Sequence, residues 1–128
     1  MTRFVVDSYA WVEYFKGSEK GRKAKDFLEG NIHEIYTNIV TLSEVISVTK
    51  RQGLDFVSAM EIVLGISQIY GIDIAFSKEA GELHADIKKE IKNIGLADIF
   101  VLLTARKLGA KILTGDPHFK NFKEAVMI

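Results

Sequence analysis

Four carboxylates lie far apart in this chain, yet each sits against an apolar run. Asp7 ends "RFVVD" ahead of a helical pattern, Glu44 lies in "TNIVTLSEV", Asp98 in "ADIFVLLTA", and Asp116 ends "KILTGD". Asp98 is the most informative. Gly95 precedes its helix and Gly109 ends it, so Asp98 falls in the first turn, where the helix dipole favours a negative charge by about 0.3–1 kcal/mol. That helix is apolar on nearly every side, including Ile99, Phe100, Val101, Leu102 and Leu103. Burying an unpaired charge costs several times more than the dipole returns. A bound cation would make up the difference.

Each acid also has a local role to compete for it. Asp7 suits a helix N-cap or Asx turn. Thr41-x-x-Glu44 is a capping-box pattern, and Gly115-Asp116-Pro117 is a natural turn. Taken together, the four are harder to explain one by one, because carboxylates brought close repel unless they are protonated or neutralised. A hard divalent cation such as Mg²⁺ neutralises them through oxygen ligands and keeps positions open to a phosphate. His33, His84 and His118 form no HxH or HExxH pattern, so zinc is not indicated and each reads as a surface or structural residue. With no Cys in the chain, disulfides, thiolate metal sites and a Cys nucleophile are excluded.

What must position these acids is an alternation of strands and helices. Strand-type runs occur at 3–7, 34–37, 72–76 ("IDIAF"), 111–115 and 124–128. Helical periodicity occurs at 56–69 and 79–92, and Gly30, Gly53, Gly71 and Gly109 follow periodic segments as helix C-caps do. The pattern predicts an α/β domain with a mainly parallel sheet, one domain over residues 1–128. In such sheets, ligands sit beyond the carboxyl ends of the strands.

Composition limits the rest. Lys+Arg and Asp+Glu are 17 each, so no strongly basic footprint marks a protein that grips nucleic acid by charge alone. The one local basic segment, "KGSEKGRKAK", holds Lys16, Lys20, Arg22, Lys23 and Lys25. It fits either phosphate neutralisation or a solvated helix face. Trp11, Tyr14 and Phe15, at helical spacing, read as core or interface before they read as base-stacking platforms. No run approaches the roughly 20 apolar residues that span a bilayer. The N-terminal apolar run is too short for a signal or anchor, and the expectation is a soluble cytoplasmic protein.

The ordered set "VVDSYAWVEYF", "TLSEV", "GLADIFVLLTAR" and "ILTGDPHF" resembles the PIN domain, in particular its VapC toxin-like branch, from end to end of the chain. The resemblance implies a three-layer α/β/α sandwich on a mainly parallel sheet of about five strands. It implies a Mg²⁺- or Mn²⁺-dependent endoribonuclease with one or two ions, in which metal-activated water hydrolyses RNA and leaves 5′-phosphate and 3′-hydroxyl ends. Asp7, Glu44, Asp98 and Asp116 match the catalytic, metal-holding acids, and Ser8 and Thr114 match supporting hydroxyls. A small antitoxin partner and a homodimer are implied as well, with segments 9–15 and 56–69 fitting either an interface or the core. One departure stands out: many relatives carry a further acid where this chain has His118, which puts a second metal in question.

Other readings predict other residues. A PIN-like RNA-processing nuclease would need no antitoxin, and a non-catalytic RNA- or protein-binding module would have little reason to keep four acids. An aspartyl phosphatase usually wants a second acid two residues after the first, where Tyr9 stands. A receiver-like domain expects an acid at the end of a central strand, which "IDIAFSKEAG" does not offer.

Overall fold

The computed structural model describes residues 2–128. Five strands form one sheet: β1 (Arg3–Val6), β2 (Glu34–Asn38), β3 (Gln68–Tyr70), β4 (Lys111–Thr114) and β5 (Ala125–Met127), in the order β3-β2-β1-β4-β5. Every pairing is parallel. Parallel neighbours need long crossovers, and helices provide them: α1 (Ser8–Lys16), α2 (Glu19–Leu28), α3 (Ile39–Arg51), α4 (Phe56–Ile66), α5 (Ile74–Lys88) and α6 (Leu96–Leu108). Between β4 and β5 the chain instead takes a 3₁₀ turn at Pro117–Phe119.

Strand side chains alternate between two cores, as the pleat requires. Phe4 and Val6 pack with Trp11, Ala24, Val45 and Val63, whereas Val5 packs with Phe76, Ala80, Ile99 and Leu102. Helices α1–α4 therefore cover one face of the sheet and α5 and α6 the other. This is the expected three-layer sandwich. Two devices hold the first layer close. A Cβ on Gly21 would lie 2.0 Å from the Glu13 carbonyl oxygen, so α2 crosses α1 backbone against backbone. Trp11, fully buried, donates from Nε1 to Thr37 Oγ1 at 3.1 Å, and Thr37 passes the bond on to Ser67 Oγ at 2.8 Å. The indole is core, as its helical spacing indicates.

Several local expectations are overturned. The run 72–76 is not a strand: Asp73 caps α5, accepting from the Phe76 N–H at 2.8 Å, and Ile74 is 90% exposed. The third strand is instead Gln68–Tyr70, at the end of the segment read as helix 56–69, which stops at Ile66. Gly71 therefore follows a strand and caps nothing. The helix read at 79–92 runs over Ile74–Lys88. The Thr41–Glu44 capping box does not form either, because α3 starts earlier. Asn38 is its cap, accepting from the Val40 N–H at 2.8 Å.

β1 is central, with β2 and β3 to one side and β4 and β5 to the other. The order changes direction between β1 and β4, which is where open parallel sheets leave a crevice at their carboxyl edge.

Candidate metal centre

The four acids reach that crevice from four elements. Asp7 follows β1 and is 5% exposed. Its Oδ1 accepts from the Ala10 N–H at 3.0 Å and so caps α1, while Oδ2 accepts from the Thr114 hydroxyl at 2.5 Å. Cap and site use the same carboxylate, because each oxygen has a further lone pair. Thr114, buried at the end of β4, also accepts the Asp116 N–H at 2.9 Å. One hydroxyl thus fixes the acid after β1 and the loop carrying the acid after β4.

Asp116 caps the 3₁₀ turn, accepting from the His118 N–H at 2.9 Å. Asp98 lies in the first turn of α6, and its Oδ2 accepts the Gly95 N–H at 3.0 Å. Glu44 is half-buried on α3, free of the cap role that its sequence suggested. The Asn38 amide donates to Thr104 Oγ1 at 3.0 Å, tying the end of β2 to α6.

Electrostatics place these acids in one field. Burial pushes the Asp7 carboxyl up to about 7, with the charges of Asp116 and Asp98 adding to it and the Thr114 and Ala10 hydrogen bonds opposing it. Glu44 is raised first by burial and then by Asp98, with the Ser8 hydroxyl in opposition. Burial also raises Asp98, against the Gly95 N–H, and Asp116 adds repulsion. Among the described residues, no Lys or Arg forms an ion pair with any of the four. His118 lies against two of them, with its Nδ1 3.2 Å from Asp116 Oδ1 and 3.6 Å from Asp98 Oδ2.

Asp98, Asp116 and His118 offer ligand atoms that all lie within 4.8 Å of one another. Asp7 and Glu44 flank this group and are coupled to it by charge. His118 is the residue that sequence reasoning missed, since a solitary His matches no ligand spacing. The signal was Asp116-Pro117-His118: an Asp cap with Pro at the next position folds the second following residue back over the carboxylate. The donor set fits a divalent cation on three counts. It has hard oxygen donors, negative charge paired with no Lys or Arg among the described residues, and a buried Nδ1 with no hydrogen-bond partner.

Beside the acids, a groove of about 360 Å³ is lined by Ser8, Tyr9, Val12, Lys16, Gln52 and Asp116, among others. A Cβ on Gly115 would sit 2.3 Å from the Tyr9 ring, so Tyr9 lies directly against the backbone leading to Asp116. Lys20 donates to the Tyr9 hydroxyl at 3.1 Å, with its Nζ 5.1 Å from the ring centroid. The basic segment is thus divided. Lys16 lines this groove and Lys20 reaches its Tyr9 wall, Arg22 and Lys25 line a separate one with Tyr14, Phe15 and Ile62, and Lys23 is exposed.

The sequence matches the model of the PIN domain family over residues 4–125, and the chain belongs to that family. Its fold is similar to that of VapC20 from Mycobacterium tuberculosis, described as a sarcin–ricin loop cleaving toxin. Identity is 19%, with 98% of this chain and 99% of that one covered and a TM-score of 0.79. It is also similar to VapBC2 from Rickettsia felis bound to a DNA fragment from their promoter (17% identity, 99% and 98% covered, TM-score 0.72). A toxin–antitoxin complex from Klebsiella pneumoniae is a further structural match (21% identity, 96% and 95% covered, TM-score 0.71). No curated protein matched the sequence.

Proposed function

We propose that the chain is a Mg²⁺- or Mn²⁺-dependent endoribonuclease, the toxin of a VapBC-type toxin–antitoxin pair, acting as one PIN-like domain over residues 1–128. The observation that carries this reading is the acidic cluster at the switch point, with no Lys or Arg paired to it among the described residues. A buried cluster of this kind is costly to a fold that has no use for it. Membership of the PIN family and likeness to VapC structures support it.

In this reading Asp7, Glu44, Asp98 and Asp116 hold one or two cations, directly or through water. When bound, the cation supplies an acidified water for in-line attack and offsets the charge gathering on the phosphate. Thr114 keeps Asp7 and the Asp116 loop in register, and Ser8 steadies Glu44. No side chain serves as nucleophile. Lys16 and Lys20 neutralise phosphates of an RNA strand lying in the groove, with Tyr9 as its wall. Arg22, Lys23 and Lys25 act further along the strand or serve the partner.

We extend the reading to a small antitoxin protein and a homodimer, both in the cytoplasm. Val57, Ile62 and Leu64 on α4 are exposed apolar residues, and Ile62 borders the groove that holds Arg22 and Lys25. No helix among the described residues is long and apolar enough to cross a membrane.

The test is cleavage of total cellular RNA with Mg²⁺ or Mn²⁺, with and without chelator, for the native chain and Asp98→Asn, followed by sequencing of the fragments. Metal-dependent cuts at defined positions, absent from a folded Asp98→Asn protein, are expected. Equal cleavage by the two proteins would overturn the assignment. Expression without a partner should slow growth, and Asp7→Ala should relieve it.

A further inference from the structure

We infer that His118 is a nitrogen ligand of the cation site, forming one face with Asp98 and Asp116 that tunes the site toward first-row transition cations such as Mn²⁺ and away from Mg²⁺. The inference rests on the metal-dependent reading above and adds a ligand and a selectivity to it.

The geometry is that of ligands rather than of a hydrogen bond. A charge-assisted N–H···O bond closes to about 2.7–2.9 Å. His118 Nδ1 faces two carboxylate oxygens at 3.2 and 3.6 Å, and it bonds to neither although it is shielded from solvent. Adjacent ligands about 2.1 Å from one octahedral cation are separated by about 3 Å, close to both distances. The backbone fixes this arrangement. The His118 N–H is bonded to Asp116 Oδ1, and Pro117 opens the short turn between them. The cap therefore holds the His118 backbone beside Asp116, within reach of both acids for its imidazole.

Chemistry then decides the preference. Carboxylates and water suit Mg²⁺ and Mn²⁺ alike, but a nitrogen donor adds affinity along the first-row series, least for Mn²⁺ and more for later metals, while Mg²⁺ keeps to oxygen ligands. The resemblance noted above expects an acid at this position. The substitution leaves the site one negative charge poorer and one nitrogen richer. Affinity for Mg²⁺, which depends on charge and oxygen, falls more than affinity for Mn²⁺.

The experiment is electron paramagnetic resonance of Mn²⁺ added to the full native chain, with electron-spin-echo detection of nitrogen coupling and with Mg²⁺ as competitor. It compares the native protein with His118→Asp, His118→Ala and Asp98→Asn, each checked for folding by thermal unfolding. Mn²⁺ should bind the native chain with a directly coordinated nitrogen. The coupling should vanish in His118→Ala and His118→Asp, and His118→Asp should lower the Mn²⁺-over-Mg²⁺ preference by about tenfold or more. Mn²⁺ that binds natively, is lost in Asp98→Asn and shows no nitrogen coupling would overturn the inference while sparing the nuclease reading. Failure of the native chain to bind Mn²⁺ or Mg²⁺ at all would overturn both.

Discussion

At the amino edge of the sheet, Arg3 meets Glu34 at 2.7 Å and also donates to the Leu108 carbonyl at 3.1 Å. At the carboxyl edge, Asp7, Asp98 and Asp116 face one another, with Glu44 beside them, and among the described residues neither a lysine nor an arginine pairs with any of them. The first arrangement is exposed and complete in itself. The second is partly buried, and that burial raises the carboxyls of Asp7, Glu44 and Asp98. One edge has its charges matched and the other does not. The two edges can be probed with variants that leave the helices intact.

The largest effect should come from Asp7→Asn. Asn still caps a helix well, so the fold survives, but on the proposed reading the site loses a ligand. RNA cleavage should fall more than about a hundredfold, beyond what removal of a merely orienting group costs. In the same variant the metal-free protein should become more stable at pH 8, by up to about 4 kcal/mol, since a charge that burial opposes is gone. Denaturant melts check the second outcome. A loss of stability in the metal-free variant would mean that Asp7 is chiefly structural.

The same shift fixes a pH dependence. Asp7 is raised from its ordinary 3.8 to about 7 in the folded state, so its contribution to stability is full below about 4 and lost as the pH rises through 7. Glu44 and Asp98 shift in the same direction. Without metal, the unfolding temperature should therefore decline between about pH 4 and 7. Saturating Mn²⁺ should restore it at pH 8, by about 2.7 kcal/mol at a hundred times the dissociation constant, and do little at pH 5. A metal-free protein that gains stability over that range would contradict the uncompensated edge.

Gly115→Ala should have a smaller effect. Its methyl would collide with the Tyr9 ring, costing about 1–3 kcal/mol and shifting the wall of the groove, with KM for RNA rising more than kcat falls. The smallest change should follow Arg3→Ala at the opposite edge. Exposed pairs contribute little and are screened by salt, so its unfolding midpoint should move only slightly and its cleavage rate should match that of the native chain.

The acids were legible because each stands beside an apolar run, and a charge in such a place needs a reason. Four of the five strands were legible for the same kind of reason: β-branched and apolar residues between turn signals, as in "FVV" and "ILT". The third strand was hidden because only Ser67 separates it from the helix before it, so its apolar residues continue the helical pattern. "IDIAF" misled because apolar residues at short spacing suit a strand or a helix start, and Asp73 as a cap decided between them. Thr41 and Glu44 have capping-box spacing, but that spacing carries no information about where the helix begins, and Asn38 had already begun it. His118 escaped because ligand motifs are defined by repetition along the chain, whereas its partner Asp98 comes from another helix.

The hydrogen bond from Thr114 to Asp7 joins positions 107 residues apart, and it has a consequence for how the protein comes into being. The middle strand of the sheet leaves the ribosome well before one of its two neighbours. Until that neighbour emerges, Asp7 has no hydroxyl to fix it, and Asp116 and His118 do not yet exist. Translation therefore completes the acid cluster only once β4 and the turn after it have emerged, and a chain cut short before residue 111 lacks both Asp116 and the hydroxyl that fixes Asp7.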